Sequence, residues 1–134
     1  ARQGSTRAPQ WTGGGMVFAV KPRDYTIRLN RKERKLALKS VLTSRVAENK
    51  FIVLDELKLD EFKTKAMKAV LDNLKVEKAL VVMDEKDEKV IKSAANIAGV
   101  MTALTSTINV YDILKYNTVV TTKAAVRMIE EVYA

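Results

Sequence analysis

Ala79-Leu80-Val81-Val82-Met83 is followed, across the polar run Asp84 to Glu88, by Val90, Ile91, Ala94 and Ala95. Five consecutive apolar residues between charged neighbours read as a strand buried on both faces. The spacing that begins near Asp87 reads as a helix with Val90, Ile91, Ala94 and Ala95 turned inward. The same alternation recurs on either side. Upstream, Phe51-Ile52-Val53-Leu54 reads as a buried strand, and Phe62, Ala66, Val70 and Leu74 repeat every four residues on a helix. Downstream, Val100 to Leu104 is a third strand, and Val110, Ile113 and Leu114 mark a short helix capped by Asn109. Thr118-Val119-Val120-Thr121 is a fourth strand; Thr122 caps a last helix with Ala125, Val126, Ile129 and Tyr133 facing in.

Short apolar strands separated by amphipathic helices imply parallel pairing, because each right-handed crossover lays a helix over the sheet. The expected class is therefore α/β: a three-layer α/β/α sandwich around a mainly parallel sheet of about four strands, with an extended N-terminal arm. Residues 25–134 are assigned to the globular domain and residues 1–24 to the arm. Before the first strand, Asn30 is a good N-cap for a helix whose apolar face would be Leu38, Val41, Leu42 and Val46.

The arm has a different composition. Residues 1–24 hold four of the five glycines, both prolines and almost no apolar periodicity, so they are expected to be extended and ordered by a partner. Met16 to Val20 is a short apolar patch that would anchor the arm to the body. Residues 1–45 carry eleven of the 24 Lys and Arg but two of the 16 Asp and Glu, a local balance of +9 that leaves the rest of the chain at −1. A charge excess confined to one stretch points to a polyanionic partner. The chain also begins at Ala1 without Met, inside arm-like sequence, and a further N-terminal part is expected before it.

Other chemistries are narrowed by what is missing from the sequence. With no Cys and no His, disulfides, thiolate nucleophiles, Cys-ligated metals and imidazole bases are excluded. No apolar run approaches the roughly 18 residues that cross a bilayer, so no membrane partner is expected. Gly13-Gly14-Gly15 lacks the Gly-Lys-Ser/Thr of a P-loop and the strand that precedes a dinucleotide fingerprint; close backbone approach to RNA or to a neighbouring segment suits it better. An alternative function rests on residues just past the strands: Asp55 and Glu56, Asp84 and Glu85, Thr105 and Ser106, and Thr121, Thr122 and Lys123 loosely resemble a Mg²⁺-dependent phosphoryl or nucleotide site. Ordinary helix capping accounts for the same residues.

The basic tract carries the stronger signal. Arg2, Arg7, Lys21, Arg23, Arg28, Arg31, Lys32, Arg34 and Lys35 have almost no acids among them, and guanidinium groups pair bidentately with phosphates. Trp11 either stacks on an unpaired base or anchors the arm against the body. Arg31, Lys32, Arg34 and Lys35 sit at the positive end of a helix dipole, which disfavours them unless an anion is near.

Ala1-Arg-Gln-Gly-Ser5, Pro9-Gln-Trp-Thr-Gly-Gly-Gly15, Val17-Phe18, Lys21-Pro-Arg23, Leu29-Asn30, Leu36-Ala-Leu-Lys-Ser40, Asp55-Glu56, Lys63-Thr-Lys65, Asn109-Val-Tyr-Asp-Ile-Leu114 and Thr122-Lys-Ala-Ala-Val126 together resemble the bacterial-type large-subunit ribosomal protein L-four family, over all 134 residues and in order. The resemblance implies a non-enzymatic rRNA-binding protein of the cytoplasmic ribosome, without cofactor or metal, that supports subunit assembly. Its body would sit on the outer part of the subunit, and a long loop would thread through rRNA to the peptide exit tunnel. Ala1 to Phe18 match the returning limb of that loop; the tip and outgoing limb would precede Ala1. The implied RNA-binding residues add Gln3, Ser5, Thr6, Gln10, Trp11, Thr12, Gly13, Gly14, Gly15 and Asn30 to the basic tract. Implied partners are large-subunit rRNA and neighbouring ribosomal proteins, with the protein's own messenger RNA as a partner in some members. Two departures stand out: Ala19-Val20 where many members have Gly-Pro, and Thr107 where Gly is common.

Overall fold

The computed structural model describes residues 3–133. Ala1, Arg2 and Ala134 lie outside the described residues, and with them the phosphate contact expected of Arg2. The elements run α1 (Arg31–Ala47), β1 (Phe51–Leu54), α2 (Thr64–Asn73), β2 (Ala79–Met83), α3 (Glu88–Ala94), β3 (Val100–Leu104), α4 (Val110–Lys115), β4 (Thr118–Thr122) and α5 (Lys123–Tyr133). The sheet has the order β1-β4-β2-β3 with every pairing parallel. The chain moves in one direction across the sheet through α2 and α3, then steps back from β3 over β2 to β4. A right-handed crossover in the reverse direction must put its helix on the other face.

Side-chain alternation along the strands divides the core accordingly. Ala79, Val81, Met83 and Val120 pack with Met67 and Leu71 of α2 and Val90 and Ala94 of α3. Leu80, Val82 and Val119 face the other way, toward Leu38 of α1, Ile113 of α4 and Ile129 of α5. The result is the three-layer sandwich, with β2 at its centre and all five of its residues buried. β1 is not the buried strand its composition suggests. It pairs with β4 alone, and Val53 is 46% exposed.

Several helix faces are rotated from the expected ones. On α2 the buried pair is Met67 and Leu71, whereas Ala66 is exposed and Val70 and Leu74 are half-buried. Phe62 precedes the helix and is exposed, with the Lys92 ammonium 5.1 Å from its ring centre. Val90 and Ala94 are buried on α3 while Ala95 is exposed, and on α4 Ile113 is buried while Leu114 is not. On α1, Val46 is exposed and Arg45 is buried. In the short helices α2, α3 and α4, neighbouring apolar registers fit the same residues, and contact with the sheet selects one.

The caps follow the local code more closely. Asn109 Oδ1 accepts from the Asp112 amide at 2.8 Å, Asp87 Oδ1 from Lys89 at 2.8 Å, and Thr122 Oγ1 from Ala125 at 3.2 Å. At the start of α1, the Asn30 amide donates to Glu33 Oε2 at 3.0 Å.

Candidate nucleic-acid interface

No helix or strand occurs in residues 3–30, and none of their side chains is buried. Met16, Val17, Phe18 and Val20 are exposed, Phe18 at 94%, so the apolar patch does not anchor the arm to the body as its composition suggests. Among the described residues, the helices pack on both sheet faces without it, and none of its residues belongs to either core cluster. Trp11 is likewise half-exposed and belongs to neither core cluster.

Within the arm, residues 5–15 are not extended but close on themselves. The Ala8 amide donates to Ser5 O at 3.3 Å, Trp11 to Ala8 O at 3.1 Å, Gly14 to Trp11 O at 2.9 Å and Gly15 to Arg7 O at 2.8 Å. Small residues and glycines allow this succession of turns. Gly13 has φ +76, and a Cβ on Gly14 would stand 2.0 Å from the Ala8 carbonyl oxygen. Gly13 and Gly14 are thus required by the arm's own backbone, whereas a Cβ on Gly15 would make only an ordinary contact with the Arg7 carbonyl oxygen, and Trp11 and Arg7 are carried on the loop they close. Ser5 Oγ accepts from the Arg7 amide at 3.1 Å, and the side chains of Gln3 and Gln10 bond each other. Thr6 and Thr12 are exposed on the same loop.

Lys21 and Arg23 continue along the exposed chain. The Arg23 guanidinium lies 4.3 Å from the Tyr25 ring centre, a cation–π contact that leaves its edge free to donate. Asp24, one of the two acids of this region, accepts from the hydroxyl and the amide of Thr26, which hold its carboxyl below the usual carboxylate range. Arg28 and Arg34 meet at a cleft of about 400 Å³ with Ile27 and Leu29, beside Asn30, Arg31, Lys32 and Lys35 at the first turns of α1. Among the described residues, Arg7, Lys21, Arg28, Arg31, Lys32 and Arg34 form no ion pair; on the body, Lys50, Lys58, Lys63, Lys92 and Lys123 each have an acidic partner, whereas others, Lys65, Lys68 and Lys75 among them, have none. Cations without protein partners remain available to an external anion.

The alternative acidic site does not assemble. β4 lies between the strands that carry Asp55 and Asp84, which sets them apart by about two strand spacings, roughly 10 Å. Asp55 is paired with Lys123, whose ammonium keeps its carboxyl low. Thr122 Oγ1 donates to Asp84 Oδ1 at 3.5 Å while serving as the α5 cap. Thr105 is buried, its carbonyl accepting from Tyr133 Oη at 3.2 Å. Among the described residues, no group of three acids could hold a metal ion.

One residue important to the mounting of the arm escapes composition-based reading. Arg45 is 7% exposed and bonds the carbonyls of Ile113 and Leu114 as well as Glu48. Its spacing held the signal, since positions 38, 41, 42 and 45 share a helix face. Its charge argued against burial.

Fold and surface together define a class: a parallel α/β domain that carries its positive charge on an irregular, glycine-rich arm and the helix turn behind it. The chain belongs to the Ribosomal protein L4/L1 family, whose sequence model matches residues 1–132. It is similar to the large ribosomal subunit protein uL4 of Agathobacter rectalis, 69% identical over 134 residues, and to those of Lachnoclostridium phytofermentans, 67% identical over 134, and Alkaliphilus oremlandii, 64% identical over 135. Each alignment takes in the whole chain and 65% of the relative. The chain therefore spans just under two thirds of the length of these relatives.

Proposed function

We propose that the chain is a structural, non-enzymatic constituent of the large ribosomal subunit, in the cytoplasmic ribosome, and that residues 2–35 form its principal rRNA-binding surface. The observation that carries this reading is the concentration of Arg7, Lys21, Arg28, Arg31, Lys32 and Arg34, none with an ion pair among the described residues, on the arm and first α1 turns. Family membership and the names of the relatives support it. The named contacts are the basic tract for phosphates, Trp11 for an unstacked base, and the hydroxyl, amide and glycine groups of the 3–15 segment for sugar and backbone. Neighbouring ribosomal proteins are further partners. Subunit assembly is its role, and the loop to which the arm belongs lines the exit tunnel.

The test is binding to large-subunit rRNA across a salt series. With about six to nine phosphates neutralised, log K should fall with log salt at a slope of several units. Deleting residues 1–35 should remove most of that slope. A salt-independent affinity, or one that survives the deletion unchanged, overturns the proposal.

A further inference from the structure

On the face of the sheet opposite α1, a groove of about 850 Å³ runs along α2 beside the 96–100 segment that leads into β3. Lys65 and Lys68 line it from α2 and Lys75 from just past the end of that helix. None of the three has an ion-pair partner among the described residues, although Asp72 and Glu77 are lining neighbours. The floor is apolar, made by buried Leu71 and half-buried Val76, Ile97 and Val100. Asn96 adds a side-chain amide at the rim.

We infer that this groove is a second RNA site, one that takes an unpaired ribonucleotide segment. The inference rests on the reading that the chain binds RNA, but it places a contact on a different face from the arm. The lining fits three parts of a single strand at once. Ammonium groups meet the phosphates, the apolar floor receives unstacked base surface, and the carboxylates of Asp72 and Glu77 with the Asn96 carbonyl accept from ribose 2′-hydroxyls. An acidic peptide would leave those two carboxylates facing like charge. A duplex presents phosphates but no free base for the floor.

The test uses the intact chain and poly(U), with poly(dU) and polyglutamate as comparisons, followed by amide chemical shifts. Poly(U) should move amides of residues 64–77 and 96–100 together with those of the arm, and poly(dU) should move the groove amides less. The combined variant Lys65→Gln, Lys68→Gln, Lys75→Gln should abolish the groove shifts, keep the arm shifts and lower the slope of log K against log salt by about two units. Shifts confined to the arm, an unchanged slope in the variant, or a groove response to polyglutamate but not to poly(U) each overturns the inference while leaving the arm reading intact. Absence of any response to poly(U) or rRNA removes both.

Discussion

Arg45 Nε donates to the carbonyl oxygen of Ile113 at 3.2 Å, across 68 residues of sequence. Nη2 donates to the Leu114 carbonyl at 3.2 Å, and Nη1 pairs with Glu48 at 2.9 Å. Ile113 and Leu114 belong to the last turn of α4, whose carbonyls have no partner within their own helix. A guanidinium there satisfies them and complements the negative end of the dipole. α1 carries the arm at its first residue and this clasp near its last, so Arg45 fastens the helix on which the arm is mounted.

Arg45→Met keeps much of the aliphatic volume but strips the buried Ile113 carbonyl and the part-buried Leu114 carbonyl of their side-chain donor, while Glu48 retains Lys50 and Ser44. It should cost about 2–4 kcal/mol of stability in a urea or thermal titration. Arg45→Lys, which cannot donate in three directions from a planar fork, should recover only part of that loss. A loss below about 0.5 kcal/mol for Arg45→Met would show that α4 finds its carbonyl partners elsewhere.

Glu48 gives the same corner a pH dependence. Its carboxylate accepts from Lys50 and from Ser44 Oγ, and the charges of Lys50 and Arg45 add to these bonds in holding its pKa below the usual glutamate range. A carboxyl depressed in the folded state contributes stability that is fully present above its unfolded pKa and disappears as pH falls through the folded value. Glu48→Gln should therefore narrow the stability gap to wild type steadily as pH drops through the carboxylate range. A gap of constant size from neutral to acid pH would contradict the assignment.

Ser93 lies on α3 with 1% exposure, and among the described residues its Oγ has no hydrogen-bond partner. A buried hydroxyl without a partner loses its water and gains nothing in exchange. Ser93→Ala is expected to stabilise the domain by about 1 kcal/mol, seen as a higher thermal midpoint. Destabilisation by a similar amount would mean that the hydroxyl is bonded in solution.

Gly13 and Gly14 separate conformational need from spatial need. Gly13 has a positive φ with nothing within 4 Å of an added Cβ, while the Cβ of an alanine at position 14 would collide with the Ala8 carbonyl. Gly13→Ala should cost about 1–2 kcal/mol of local loop stability; Gly14→Ala should open the loop. The body packs independently of this segment, so neither should shift the thermal midpoint of the domain. The amide shifts of residues 7–15 and the affinity for rRNA should change more for Gly14→Ala, and equal effects would sink the distinction.

Local signals were legible where the chemistry is local. Asn109 and Thr122 cap the helices expected of them, Asp87 caps the helix expected to begin near it, and the bounds of β2 and β3 coincide with the expected runs. The arm's apolar residues were less informative, because Met16 to Val20 resemble an anchor in composition but the helices pack on both sheet faces without them. Phe62 and Val46 failed as core residues for tertiary reasons: Phe62 falls before α2 begins, and on α1 the contact with α4 takes Arg45 inward and leaves Val46 exposed.

The sequence alone determined the α/β alternation, the confinement of positive charge to residues 1–45, and the exclusion of thiol and imidazole chemistry, since each depends on residue type and spacing along the chain. Only the tertiary structure decided the order β1-β4-β2-β3, which leaves β1 at an edge and parts Asp55 from Asp84. It alone placed Arg45 beneath α4 and aligned Lys65, Lys68 and Lys75 along a groove. Strand order and burial depend on contacts between residues far apart in sequence, and a charged side chain reads as exposed until its distant partners are in place.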